Sequence, residues 1–176
     1  MVHSFAPIAL GFSAFAFSGS RADRSAVAAA VSCFPFVPSG SSVSVGCASG
    51  VDAAARAAFT SAIVFRVSAF AFAGRVLRAS FARRSVALVV ECGRVGGLFC
   101  SFPLGACPSG LVPCASPFAG FGAGSWSSLA LAVHLGCACF VSVSPLCAPS
   151  WLVSRAIFLG GSSWFVPCVA PPPFFV

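Results

Sequence analysis

Residues 127–146 read "SSLALAVHLGCACFVSVSPL", and this stretch carries the strongest fold signal in the chain. It contains no Arg, Lys, Asp or Glu. Its length matches the roughly 20 residues that a helix needs to cross the hydrocarbon core of a membrane. Its Leu, Val and Phe side chains favour insertion, whereas His134, Gly136 and Pro145 oppose it. We therefore predict that this segment is a candidate membrane span with an insertion free energy close to zero.

The whole chain is poor in charge. Charged residues make up 7% of the sequence and apolar residues 59%, whereas typical domains contain about 25% and about 45–50%. A folded protein covers its surface with polar side chains, and large exposed apolar patches indicate contact with a membrane or a partner, or aggregation. The composition therefore predicts contact with a lipid bilayer, or self-association and aggregation, and it indicates no specific partner.

The residue types that are missing point to the base composition of the gene. The chain has no Lys, Asn, Gln or Tyr, although it has 20 Phe. The missing types have adenine at the second codon position, so the coding strand is adenine-poor. All three stop codons contain adenine, and an adenine-poor strand therefore stays open without selection.

Two hypotheses for function follow from this bias. The leading one is a chance or dubious reading frame with no evolved biochemical function, so that the product is not an enzyme. The alternative is a small hydrophobic integral membrane protein. The base composition of each codon position on both strands distinguishes them, because a real gene shows its strongest bias at the third position.

The pentapeptide "SAFAF" occurs twice, at Ser13–Phe17 and at Ser68–Phe72. The residues that follow the two copies are related, but their spacing differs. Repeat architectures keep a fixed period and need about three units to bury a shared face. The repetition therefore indicates low nucleotide complexity rather than a solenoid.

The rest of the chain divides by composition, without a domain boundary inside residues 1–176. Residues 1–20 are apolar and include "FAPIALGFSAFAF", which has the length of a signal-peptide core, but no Arg or Lys precedes that core. Residues 25–51 read as loop with one short strand, "SVSV". Residues 52–94 form an Arg-rich segment that we predict to be structured, and residues 95–126 are rich in Pro, Gly and Cys and are predicted to be irregular.

Within the Arg-rich segment, Asp52 is predicted to cap a helix. The alternation of Ile63, Phe65 and Val67 fits a strand as well as a helix. If the chain is ordered, we expect a mainly α, membrane-type structure with short strands and long Pro/Gly-rich irregular segments, and no globular fold.

The arginines of this segment raise the question of nucleic-acid binding, since Arg pairs with phosphate and Phe stacks on bases. No pattern of a known nucleic-acid-binding module surrounds them. The GC-rich codons of Arg account for their number, so we do not expect nucleic acid as a partner.

Ten Cys invite a metal hypothesis. No Cys-x-x-Cys pair is present, and the nearest cluster is "HLGCAC", in which His134, Cys137 and Cys139 could bind Zn²⁺ or Cu(I) with Cys147 as a fourth ligand. A Cys-rich apolar chain produces such clusters by accident, and unliganded Cys behaves as a small apolar residue. We therefore predict no metal and no cofactor.

No catalytic residue is predicted either. The three acids, Asp23, Asp52 and Glu91, are far apart in sequence, and the only histidines are His3 and His134. The sequence "GCASG" at 46–50 places its serine one position too late for a nucleophile elbow. The sequence "GFGAGSW" at 120–126 lacks the lysine of a phosphate-binding P-loop.

Overall fold

The structure is a computed structural model that describes residues 2–120 and 124–169. Strands and helices alternate along most of this part of the chain. The strands are β1 (Ala14–Gly19), β2 (Ser42–Gly46), β3 (Ile63–Phe65), β4 (Leu98–Phe102), β5 (Cys139–Ser142), β6 (Ile157–Gly160) and β7 (Ser163–Val166). The helices are α1 (Val2–Ala9), α2 (Arg24–Cys33), α3 (Val51–Ala58), α4 (Arg78–Arg94), α5 (Gly124–His134) and α6 (Ser150–Val153). Short 3₁₀ turns lie at Phe34–Phe36, Val67–Phe70 and Pro145–Cys147.

The strands form one mixed seven-stranded sheet in the order β3-β2-β1-β4-β5-β7-β6. The first five strands in this order are parallel to one another. The hairpin of β6 and β7 extends the sheet, with β7 antiparallel to β5 and to β6. The chain builds outward from β1 through β2 to β3 and then returns to place β4 on the other side of β1. This is a doubly wound sheet, in which the direction of building reverses between β1 and β4.

The central strands are apolar on both faces, because helices cover both faces of the sheet. The strand β1 reads "AFAFSG" and β4 reads "LFCSF", and almost all of these residues are buried. Parallel strands that are buried on both faces show continuous apolar runs instead of an apolar–polar alternation. This arrangement explains why the pentapeptide "SAFAF" forms a central strand in its first copy.

Two apolar cores lie on opposite faces of the sheet. The helices α1, α2 and α3 cover one face, where Phe15, Phe17 and Phe102 are fully or almost fully buried. The helices α4 and α5 cover the other face, around Trp126 and Leu129. Edge-to-face and stacked rings, such as Phe17 against Phe34 and against Phe59, fill the first core.

The expectation of a mainly α, membrane-type structure without a globular fold is wrong. The stretch at 127–146 is divided between α5 and β5 instead of forming one helix. Gly136 ends α5, because it adopts a positive φ of 75°. Its N–H donates to the carbonyl of Val133, and the N–H of Cys137 donates to the carbonyl of Ala132. This pair of hydrogen bonds is a Schellman C-cap, which turns the chain into β5.

The description of the chain as a hydrophobic membrane protein is corrected for the same reason. Within residues 2–120 and 124–169, no helix combines the length and the apolar character needed to cross a bilayer. The longest helix, α4, has 17 residues and contains several arginines. Much of the apolar content lies in two cores, one on each side of the sheet.

Candidate ligand-binding site at the carboxyl edge of the sheet

The point at which the sheet reverses direction lies between the carboxyl ends of β1 and β4. From β1 the chain continues into α2 on one face, and from β4 it continues to α5 on the other face. The two connections therefore diverge to opposite faces of the sheet, and we call the region above these strand ends the candidate crevice. In open α/β sheets this crevice is the usual position of a bound ligand.

Ser20, the first residue after β1, holds three segments together at this crevice. Its N–H donates to the carbonyl of Phe102 at 2.9 Å, and its carbonyl accepts the N–H of Val51 at 3.2 Å. Its hydroxyl accepts the N–H groups of Ala22 and Asp23 at 3.3 and 3.0 Å. The end of β4, the start of α3 and the β1–α2 turn are thus fixed to one residue.

Two glycines allow these segments to approach each other closely. A Cβ atom on Gly19 would lie 2.6 Å from Cγ2 of Val51 and 2.8 Å from the carbonyl oxygen of Phe102. Gly50 has a positive φ of 68°, and a Cβ atom there would overlap the carbonyl oxygen of Ser20. The "GCASG" loop between β2 and α3 therefore packs directly against the end of β1.

A buried ion pair between α3 and α4 holds this loop in place. Nη1 of Arg84, on α4, donates to Oδ2 of Asp52, on α3, at 3.1 Å, and both side chains are almost fully buried. The same carboxylate oxygen accepts the N–H of Ala48 at 3.2 Å. Burial raises the pKa of the Asp52 carboxyl, and the positive charge of Arg84 acts against that rise. Arg56 adds two bonds, from Nη1 to the carbonyl of Gly46 at 2.6 Å and from Nη2 to that of Ala48 at 3.0 Å.

A row of small residues crosses the sheet beneath α4 and α5, near the carboxyl ends of the strands. Phe17 on β1 lies in register beside Val45 on β2, the residue before Gly46, and the next residue of β1, Ser18, lies beside Ser101 on β4. A side chain at Gly46 would overlap the guanidinium of Arg84, so the glycine makes room for the ion pair. Small residues here leave space for polar groups between the sheet and the helices.

Four buried polar atoms have no hydrogen-bond partner within the described residues: Nε of Arg84, Oγ of Ser101, Nε1 of Trp126 and Oγ of Ser163. Three of them, those of Arg84, Ser101 and Trp126, belong to the elements that meet at the carboxyl edge on the α4 and α5 face. Buried polar atoms without partners are rare, and in native proteins they coincide with ordered water, bound ions or functional sites.

The carboxyl edge is electropositive. Exposed Arg21 follows β1, and exposed Arg24 and Arg78 are the first residues of α2 and α4. The guanidinium of Arg21 lies 5.1 Å from the centre of the Phe81 ring, which places the β1–α2 turn beside α4. Helices that follow parallel strands begin at this edge, and their N-termini attract anions.

The carboxylates near this edge are already engaged. Asp23 accepts the N–H of Ser25 at 2.9 Å and caps α2. The hydrogen bond from the Ser25 hydroxyl, together with this backbone bond, lowers the pKa of Asp23. Asp52 is bound to Arg84. The third acid, Glu91, pairs with Arg94 at the far end of α4. The described part of this edge therefore offers cations, and its acids serve structural roles.

The structure does not bring the suspected metal ligands together. His134 and Cys137 precede β5, at the amino edge, whereas Cys147 follows β5 near the carboxyl edge. Cys139 is fully buried in the α5-side core, and its thiol donates to the carbonyl of Cys137. Over the described ranges, no group of three or more His, Cys, Asp or Glu is placed to hold a metal ion. All ten Cys are free thiols.

The role of Asp52 differs from the one predicted. The N-cap of α3 is Gly50, and Asp52 lies inside the first turn with its carboxylate directed at Arg84. The sequence shows an acid, Asp52, shortly after "GCASG". It does not show that the fold brings Arg84 of α4 into contact with this acid. The relevance of the "GCASG" loop lies in its two glycines, Gly46 and Gly50.

The comparisons with known proteins add no family to this description. No protein-family model, no curated protein and no solved structure matches the chain.

Proposed function

We propose that this chain is a small-molecule-binding α/β domain whose ligand carries a phosphate group and occupies the crevice between the ends of β1 and β4. The observation that supports this proposal most is the reversal of strand order at β1 and β4, which locates the candidate crevice at the carboxyl edge. Doubly wound sheets bind their ligands at this position.

The charge of the edge supports an anionic ligand. Arg21, Arg24 and Arg78 are exposed there, while Asp52 is neutralised by Arg84. Arginine binds phosphate through a planar fork of donors. Gly19 and Gly50 allow the ends of β1 and β4 and the β2–α3 loop to pack closely together at this edge. These features favour a compact ligand such as a nucleotide over a polymer, in keeping with the prediction that nucleic acid is not a partner.

Binding is favoured over catalysis, because Asp23 and Asp52 are engaged in a helix cap and an ion pair. The prediction that the chain is not an enzyme stays a prediction.

The proposal is tested by titrating the chain with ADP and, separately, with inorganic phosphate. Isothermal calorimetry gives the Kd, and amide chemical shifts of Ser20, Arg21 and Gly50 locate the ligand. We expect saturable binding of ADP with shifts at these amides. Arg21→Ala should weaken it by roughly 10- to 100-fold, because a hydrogen bond to a charged group contributes roughly 1.5–3 kcal/mol.

Arg94→Ala is the matched control, since it removes one exposed arginine from the opposite end of α4. It should leave the Kd unchanged. If neither compound binds, or if Arg21→Ala and Arg94→Ala have the same effect, the proposal is wrong. Binding of phosphate as tight as that of ADP would assign recognition to the phosphate group alone.

The chance-reading-frame hypothesis is tested independently of binding. A base bias that is strongest at the third codon position of this frame supports a gene under selection. A bias that is strongest in another frame or on the opposite strand supports a chance product. Self-association, expected from the low charge, also stays a prediction, and sedimentation of the purified chain measures it.

A further inference from the structure

A cavity of about 610 Å³ lies at the amino edge of the sheet, opposite the crevice described above. It is bounded by the C-terminal end of α5 and by the segment that follows β7. Its volume is within the range of about 300–1,000 Å³ that small-molecule sites occupy. Its walls are mostly apolar, with Val133, Val166, Pro167 and Val169 as the main lining residues.

The walls of this cavity are held in place by backbone contacts. Gly136 forms the Schellman turn at the end of α5, and its carbonyl accepts the N–H of Val169 at 3.2 Å. The segment after β7 is therefore attached to the turn that ends α5. A cavity whose walls are fixed before binding spends less free energy on ordering them.

Two nitrogen-bearing side chains interrupt the apolar lining. Arg155, which follows α6, is exposed and carries a permanent positive charge, and His134 lies half-buried at the end of α5. No Asp or Glu is among the described residues that line the cavity. Apolar walls with one cation at the rim are complementary to a ligand with an apolar body and an anionic end.

We propose that this cavity binds an aliphatic monocarboxylate of medium chain length. The carboxylate contacts the guanidinium of Arg155, and the hydrocarbon chain lies against Val133, Val166 and Val169. A carboxylate forms charge-assisted hydrogen bonds with arginine in a bidentate geometry. Burial of the hydrocarbon chain adds to the affinity in proportion to the apolar area that leaves water.

The experiment uses octanoate, octanol and octylamine, which share one hydrocarbon chain and differ in charge. Each is titrated below its aggregation concentration into the full chain, and amide shifts of Gly136, Cys137 and Val169 report binding. We expect saturable shifts with octanoate and binding about tenfold weaker with octanol, because the alcohol lacks the charge-assisted contact. Octylamine should bind more weakly still.

Three variants test the role of Arg155. Arg155→Ala should reduce octanoate affinity to that of octanol, and Arg155→Lys should restore part of it. Arg94→Ala removes an exposed arginine that does not line the cavity and should change nothing. Arg155 is exposed, so its replacement leaves the fold intact.

Some results overturn the proposal. Equal affinity for octanoate and octanol, or equal affinity of wild type and Arg155→Ala, would show that no carboxylate is recognised. Octanoate-dependent shifts at Ser20 and Gly50 instead of Gly136 would assign binding to the carboxyl edge. Failure of ADP to bind has no bearing on this cavity, because the two sites lie at opposite edges of the sheet.

Discussion

Asp52 and Arg84 are the residues whose pairing most directly links the β2–α3 loop to α4. Their side chains are 4% and 6% exposed, and their atoms are 3.1 Å apart. Asp52→Ala should lower the free energy of unfolding by about 3–5 kcal/mol, because it leaves the charge of Arg84 buried without a partner. Urea denaturation measures this change.

The matched control for this variant is Glu91→Ala, which removes the carboxylate of an exposed pair at the end of α4. Exposed pairs contribute little, so its effect should be much smaller. The double variant Asp52→Leu/Arg84→Met replaces the pair with apolar groups and should recover much of the loss. Equal destabilisation by Asp52→Ala and Glu91→Ala would contradict the buried pairing.

Alanine substitutions at Gly50 and Gly40 distinguish the cost of backbone strain from the cost of a steric clash. Both have a positive φ, of 68° and 83°, but a Cβ atom overlaps neighbouring backbone only at Gly50, since Gly40 has open space around it. Gly40→Ala should cost about 1–2 kcal/mol, from backbone conformation alone. Gly50→Ala should cost about 3 kcal/mol or more, because the loop must also move away from Ser20.

Thermal or urea unfolding of the two alanine variants gives this difference directly. Ligand titration adds a second readout, because only Gly50→Ala should also weaken ADP binding at the carboxyl edge. If the two variants are equally stable, the β2–α3 loop does not pack against the end of β1 as described.

At the level of helices and strands, residues 127–146 show how far local sequence determines secondary structure. The apolar run is common to a membrane helix and to a buried helix followed by a buried strand, so its composition does not separate them. Gly136 carries the distinguishing signal, because it ends α5 after 11 residues. Such a helix is about 16 Å long, roughly half the thickness of the hydrocarbon core.

Ala138→Arg tests this division. Ala138 is buried next to β5, and its carbonyl accepts the N–H of Phe99 at 2.9 Å. An arginine there would place an unpaired charge in the core, and we expect a loss of about 4 kcal/mol or more, or no cooperative unfolding. Circular dichroism during urea denaturation measures it.

Leu146→Arg is the control, since Leu146 belongs to the same stretch and is 96% exposed. It should leave stability nearly unchanged. If Ala138→Arg is tolerated as well as Leu146→Arg, Ala138 does not lie in a packed core.

The strands β1, β2 and β3 differ in how well their local sequences predict them. The short strand "SVSV" is confirmed as β2, and Ile63–Phe65, which fitted a strand as well as a helix, forms β3. The strand β1 was not predicted, because "AFAF" is apolar on both sides and has no alternation to detect. Its burial on both faces depends on α2 and α4, which lie elsewhere in the sequence.

At the level of the whole molecule, the order of strands is the information that the sequence does not display. The reversal between β1 and β4 arises from pairing across long sequence distances, and the candidate crevice exists only because of it. The sequence contains the "GCASG" loop and the arginines of this crevice, but it does not show that they lie close together in the fold. Low charge likewise predicted exposed apolar surface, whereas a sheet covered on both faces buries much of that surface in two cores.

The buried thiols make the stability of the whole domain depend on alkaline pH. Five of the ten free Cys are buried: Cys33, Cys92, Cys100, Cys137 and Cys139. Burial raises the pKa of the Cys33 thiol from 9.0 to about 12 and that of Cys137 to about 11. Burial also raises the pKa of Cys92, Cys100 and Cys139.

The direction of the pH effect follows from these shifts. Above pH 9.0, the ordinary pKa of a thiol, the thiols of the unfolded chain lose protons while those of the folded chain keep them. The folded state then binds more protons, so the free energy of unfolding falls as pH rises. Each such thiol contributes about 1.4 kcal/mol per pH unit, until the pH reaches its folded pKa.

We therefore expect full thiol-dependent stability below pH 9 and a steep loss above it, to which Cys137 contributes up to about pH 11 and Cys33 up to about pH 12. Urea denaturation at a series of pH values measures the loss, and Cys33→Ala should reduce its slope. At pH 8, a thiol reagent should modify exposed Cys168 quickly and the five buried thiols only after unfolding. Rapid modification of all ten thiols in the native chain would show that neither core is packed as described, because ionised thiolate forms only where water reaches the sulfur.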